Sequence, residues 1–229
     1  LKGHLSELAQ QEDLALLDNV SDNSLVQRNK VHDCTGNGIF AGGSGGTTNF
    51  VQNNVIINNM IWNTPGLGTY PGGLALRRVG GSIVSHNSVR MPPGSTLAGL
   101  YISAAASTGV IAAAEVSNNV IRHEGSGPCV KFDVATAAVP TIFDYNQYDA
   151  AGGGPVGQVV AVNYVTLANW LAIPGPSLAG KEANTIAAAA GFVSATDLHI
   201  TPSAAAFNSG STVALVTDDI DTDPRPIGL

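Results

Sequence analysis

Val26–Val31 reads VQRNKV, and its frame, V-x-x-N-x-[VI], returns as VQNNVI at Val51–Ile56, VSHNSV at Val84–Val89 and VSNNVI at Val116–Ile121. The asparagines Asn29, Asn54, Asn87 and Asn119 lie 25, 33 and 32 residues apart. Self-similarity at this period, with insertions of variable length, is the mark of a solenoid. Side chains alternate across a strand, so the Asn and the apolar residue two places on enter the same interior. Stacked coils bring equivalent positions to about 4.8 Å, so each Val or Ile rests on another. A lone buried Asn is costly, whereas a column of them can satisfy itself amide to amide. The frame therefore predicts the corner of a parallel β-helix, with all four asparagines in one internal ladder.

A second strand-like run follows a glycine in every repeat: GIF at Gly38–Phe40, GGLAL at Gly72–Leu76, GLYI at Gly99–Ile102 and GPCVKF at Gly127–Phe132. Insertions fall in turns, as in NTPGLGTYPG at Asn63–Gly72, where surface excursions are tolerated. The L-x-x-L-x-L spacing of leucine-rich repeats is missing, and so are the long, even blades of a propeller. The expected fold is all-β: a right-handed parallel β-helix with an irregular C-terminal cap containing a short helix. Residues 14–145 are assigned to coils, 146–229 to a cap packed on the solenoid, and 1–13 to a lead-in. LSELAQQEDLALL (Leu5–Leu17) mixes a helical start with strand-like alternation at Leu14 and Leu16, which leaves that boundary open.

At 229 residues the chain suits one domain with a real core. A net charge of −7 with only 12 % charged residues speaks against a nucleic-acid partner. No apolar run approaches the roughly 18 residues of a membrane span. The opening LKGHLSELAQ carries neither a start methionine nor an export signal, so a processed or truncated product is expected.

Several segments resemble the bacterial right-handed parallel β-helix repeat proteins of the pectin-lyase-like superfold. Besides the ladder, these are FDYNQYDA (Phe143–Ala150), TLANWLA (Thr166–Ala172), DLHITPSAAAFNSG (Asp197–Gly210) and DIDTDPRPIG (Asp219–Gly228). Thr222 replaces the family's usual glycine and Ala204 its usual proline. The resemblance implies the fold, export to the medium or cell surface, and a family that contains lyases, hydrolases and proteins without known chemistry.

Three residues after each ladder asparagine stand His32, Ile57, Arg90 and Arg122. On adjacent coils Arg90 and Arg122 would repel unless an anion lay across them, and Arg takes carboxylates bidentately. With Arg28 and Tyr101 they are the candidate substrate-binding residues for an acidic polysaccharide. His86 and His123 are the candidate bases for uronate proton abstraction. The bland reading is that Arg and His decorate a solvated sheet. Phe40, Trp62, Tyr70 and Tyr101 offer rings for sugar stacking, or simply fill the core. The tail DDIDTDPR (Asp218–Arg225) has alternating carboxylates suggestive of Ca²⁺, yet it lacks the glycine and distal Glu of an EF-hand loop, so no metal site or cofactor is assigned. Cys34 and Cys129 fall about three coils, roughly 14 Å, apart, beyond the reach of about 7 Å for a disulfide. The functional expectation is a secreted β-helix that binds, and as a lyase or glycoside hydrolase would cleave, an acidic polysaccharide along its lateral face. The alternative is a non-catalytic surface scaffold, or a structural protein that self-associates laterally or end to end into filaments.

Overall fold

The computed structural model describes residues 8–9, 15–18, 22–42, 51–64, 72–103, 114–133, 139–173 and 178–225. Short parallel strands stack into a β-solenoid with three principal faces. The first face is five-stranded: Leu25–Gln27, Val55–Ile57, Ile83–Ser85, Glu115–Ser117 and Ile142–Asp144. The second is seven-stranded and runs from Leu8–Ala9 through Lys30–His32, Met60–Trp62, Ser88–Met91, Val120–His123 and Gln147–Asp149 to Ile186–Ala187. The third, also seven-stranded, contains the glycine-led runs from Ile39–Gly42 to Gly157–Val159 and closes with an antiparallel strand, Val162–Tyr164.

The rows of the core follow the register. Val26, Ile56, Val84, Val116 and Phe143 stack on the first face. Val31, Ile61, Val89, Ile121 and Tyr148 stack on the second, and Ile39, Leu74, Leu100 and Val130 on the third. These side chains are buried. Burial of this kind contributes about 25 cal/mol per Å² of apolar surface, and the like-on-like register delivers it in every coil. The third-face row ends at Gly157 for a packing reason. A Cβ there would lie 2.1 Å from the Trp170 ring. That ring belongs to the one helix among the described residues, Leu167–Leu171, capped by Thr166 Oγ1 accepting from the Asn169 N–H at 3.1 Å. Trp170 is fully buried, stacks on Phe132 with centroids 5.6 Å apart and meets Tyr164 edge-on, closing the C-terminal end of the core.

The corner between the first and second faces repeats one conformation. Arg28, Asn58, His86, Asn118 and Tyr145 all have φ near +57°. That left-handed residue turns the chain, and the next residue points its side chain inward. The inward column is Asn29, Asn59, Asn87, Asn119 and Asn146. Each Nδ2 donates to the next Oδ1, at 2.8, 2.9, 3.0 and 3.1 Å along the column. Each Oδ1 also accepts the preceding asparagine's backbone N–H at 3.0 to 3.1 Å. Thr185 Oγ1 ends the series by accepting from Asn146 N.

Asn54 does not belong to this ladder. It is buried at a different corner, where Oδ1 accepts from Ser24 N at 2.8 Å and its own N–H donates to Ser82 Oγ. The frame occurs twice in succession here, and only the second copy, Ile56–Ile61 (IINNMI), stacks on Val26–Val31. Two further expectations need correction. The coils continue past residue 145, because Gln147–Asp149 and Gly157–Val159 keep register with Val120–Arg122 and Val130–Phe132. Within the expected lead-in, Leu8–Ala9 is a strand on Val31–His32 rather than helix; the rest of 1–13 lies outside the described residues.

Candidate functional site

The outward row of the second face, in register, is His32, Trp62, Arg90, Arg122 and Asp149. Trp62, not Ile57, therefore occupies the place next to Arg90. Arg90 and Arg122 do sit on adjacent coils, and the anion lying across them is the chain's own. Arg90 Nε donates to Glu124 Oε1 at 3.0 Å and its Nη2 pairs with Oε2. Arg122 Nε reaches the same Oε1 at 2.7 Å, and its Nη1 reaches Asp149 Oδ2 at 2.8 Å. Burial raises the Glu124 carboxyl, but hydrogen bonds from both arginines outweigh this and hold it below the usual range. Two guanidinium groups and two carboxylates cancel, so the row carries no local positive excess. His32 stacks on Trp62 at 4.5 Å and pairs through Nδ1 with Asp33 Oδ2 at 2.8 Å.

The candidate bases are built into the structure. His123 points into the coil with no exposure; its Nε2 bonds the Leu97 carbonyl oxygen at 2.6 Å, and its Nδ1 accepts from Gly125 N. The accepting Nδ1 makes the ring neutral, and burial holds its pKa below the usual value. His86 occupies the left-handed corner, bonded to Ser85 Oγ at 2.8 Å. Burial, reinforced by the positive charge of Arg225, lowers its pKa to about 3. A base that weak takes a sugar C–H proton poorly at neutral pH. Tyr101 lies on the third face, away from the arginines, with its hydroxyl donating to Asp133 Oδ2 at 3.0 Å. Tyr70 lies outside the described residues.

The remaining element was not legible as a site component. Residues 192–225 form a strap that runs back over the corner between the first two faces. Ser211 N donates to Asn118 Oδ1 at 2.8 Å, Asn58 Nδ2 to the Asp218 carbonyl at 2.8 Å, and Arg28 Nε to the Asp219 carbonyl at 3.1 Å while pairing with the Asp218 carboxylate. Arg225 Nη2 donates to Asn58 Oδ1 at 3.2 Å. Val213 and Val216 pack on Ile57, and Leu198 packs on Met60 and Trp62. The strap is pinned to itself by His199, whose two ring nitrogens face Asp197 and Asp221. Between strap and corner lies a cleft of about 640 Å³ whose lining includes His86, Asn118, Tyr145, His199, Phe207 and Arg225.

Three of the tail carboxylates are engaged separately. Asp218 holds Arg28, Asp221 faces His199, and Asp219 Oδ1 accepts the backbone N–H groups of Asp221 and Asp223. Among the described residues no group of three or more His, Cys, Asp or Glu side chains is arranged to hold a metal ion. Cys34 and Cys129 are both buried and form no disulfide with each other, and no helix among the described residues is long and apolar enough to cross a membrane. Asp149 escaped the sequence reading because its frame, FDYNQYD, places aromatics where Val or Ile was required. No protein-family model, curated protein or solved structure matches this chain.

Proposed function

We propose that this chain is a non-catalytic β-solenoid scaffold of a secreted or surface protein, presenting a lateral face rather than turning over a substrate. One observation carries the reading: His86, His123, Arg28, Arg90, Arg122 and Tyr101 are each held by partners within the chain. Among the described residues, neither candidate base, His86 nor His123, stands free beside a cationic group, the arrangement lyase chemistry requires. The tail segments resembling bacterial β-helix repeat proteins support export. The test is a panel of pectate, alginate and glycosaminoglycan substrates read by absorbance of the unsaturated product. No product is expected from the parent; product formation that disappears in His86→Ala would overturn the reading.

Binding of an acidic polysaccharide without turnover is the second reading. It is favoured by the cleft under the strap, where Arg225 and His199 offer hydrogen-bond donors and Phe207 an exposed ring. Affinity electrophoresis in the same glycans tests it. Retardation lost in Arg225→Ala but kept in Arg90→Ala is the expected pattern, and no retardation of the parent ends that reading.

A further inference from the structure

We propose that Glu182 is a proton-operated latch on the last turn of the solenoid: protonated, it lets residues 178–190 close over Phe143 and Tyr148, and losing the proton releases them and bares the edge strand Gln147–Asp149. Glu182 has no solvent exposure and a left-handed backbone, φ +56°, at the turn that carries the chain back over the stack. Its N–H donates to the Phe143 carbonyl at 2.6 Å, and its Oε1 accepts from the Tyr148 hydroxyl at 2.6 Å. Its Oε2 is buried and has no hydrogen-bond partner among the described residues. A neutral carboxyl tolerates that site, whereas an ionised oxygen left without a donor does not.

No cation among the described residues pairs with it. Lys181, its neighbour, turns its ammonium to the Thr141 carbonyl. The ionisable groups facing Glu182 are Tyr148 from the second face, Asp144 from the first and, beyond Tyr148, the buried Cys129 thiol. Thr185 and Asn146 complete its surroundings. Asp144 is itself fixed by Asn184, which donates through N at 2.7 Å and Nδ2 at 2.8 Å. Burial first, and the Asp144 charge, push the Glu182 carboxyl up to about 8 against the Tyr148 hydrogen bond to Oε1 and the nearby polar side chains of Thr185 and Asn146.

The folded pKa is raised, so the closed turn binds more protons than the open one. Its stabilisation is complete below the ordinary carboxyl value of 4.5 and is lost as pH rises towards about 8. When the turn opens, the pairing of Ile186–Ala187 on Gln147–Tyr148 goes with it. A sheet edge able to take another strand then replaces a covered one.

Hydrogen exchange of the full chain, corrected for the intrinsic rate, reads the latch at the amides of Glu182, Ile186 and Ala188, which bond Phe143, Asn146 and Tyr148. The opening constant is expected to rise about tenfold per pH unit within that window and to level off above it. Glu182→Gln should give a flat profile. Tyr148→Phe, lacking a donor that favours the ionised form, should keep the slope and move the plateau to higher pH, and it serves as the readout if the Gln variant fails to fold. A parent profile indifferent to pH between 5 and 8, or a slope that survives in Glu182→Gln, overturns the proposal.

Discussion

Asn87 shows what a single residue does in this architecture. Its Oδ1 accepts from Asn59 N and Nδ2, and its own Nδ2 donates to the Ile56 and Ser85 carbonyls and to Asn119 Oδ1. Asn87→Leu leaves those groups unpaired in a fully buried site, so stability should fall by on the order of 1–3 kcal/mol. Ala205→Leu, on the exposed strap, should stay within about 0.5 kcal/mol. Equilibrium denaturation measures both, and equal losses would remove the ladder's special role. Glu124 makes a sharper case, because it neutralises two arginines at once. Glu124→Ala should free Arg90 and strengthen retention on a polyanionic column, an effect that added salt weakens. Its carboxyl is held low, so its stabilisation is present above pH 4.5 and is lost as pH falls through the lowered value. A Glu124→Ala variant that elutes with the parent at every salt concentration would show that the arginines stay masked.

At the scale of the element, the strap is held by a few apolar contacts and ion pairs rather than by a sheet. Leu198 is fully buried against Met60 and Trp62, and its truncation to Ala should cost about 2–5 kcal/mol of strap attachment. The chain has two tryptophans, and Trp62 lies under the strap while Trp170 lies in the cap. In a Trp170→Phe background, Leu198→Ala should therefore red-shift the emission of Trp62; unchanged emission would mean the strap stays docked without Leu198. His199 adds a pH dependence of its own. Burial lowers its pKa, but the hydrogen bond to Asp197 and the charge of Asp221 outweigh burial and raise it. The clasp is then fully formed below pH 6.5 and loosens as pH rises through the raised value. His199→Gln should abolish that change in Trp62 emission.

For the whole molecule, stability is a sum over coils and their interfaces, so the ends matter most. Trp170 closes one end against Phe132 and fills the space left by Gly157. Trp170→Ala should lower stability by about 3–5 kcal/mol. It should also expose the apolar end and promote concentration-dependent association, visible by sedimentation. A monomer that keeps the parent's stability would show that the cap is dispensable.

The sequence by itself determined the solenoid, because side-chain alternation and the Asn corner are local properties that repeat coil by coil. It likewise placed Arg90 opposite Arg122, made Trp170 the cap of the core and kept Cys34 and Cys129 apart. Register it determined only in part. Asn54 and Asn59 satisfy closely similar frames five residues apart, and only the stacking of Ile56 on Val26 and Val84 selects between them. The charged pairings that span distant parts of the chain were decided by tertiary structure. Asp149 comes to Arg122 from the next coil, Glu182 to Tyr148 from 34 residues away, and Asp218 to Arg28 from the far end of the strap. Pairings between elements so distant in sequence follow from where the chain returns on itself, and no local pattern encodes that path.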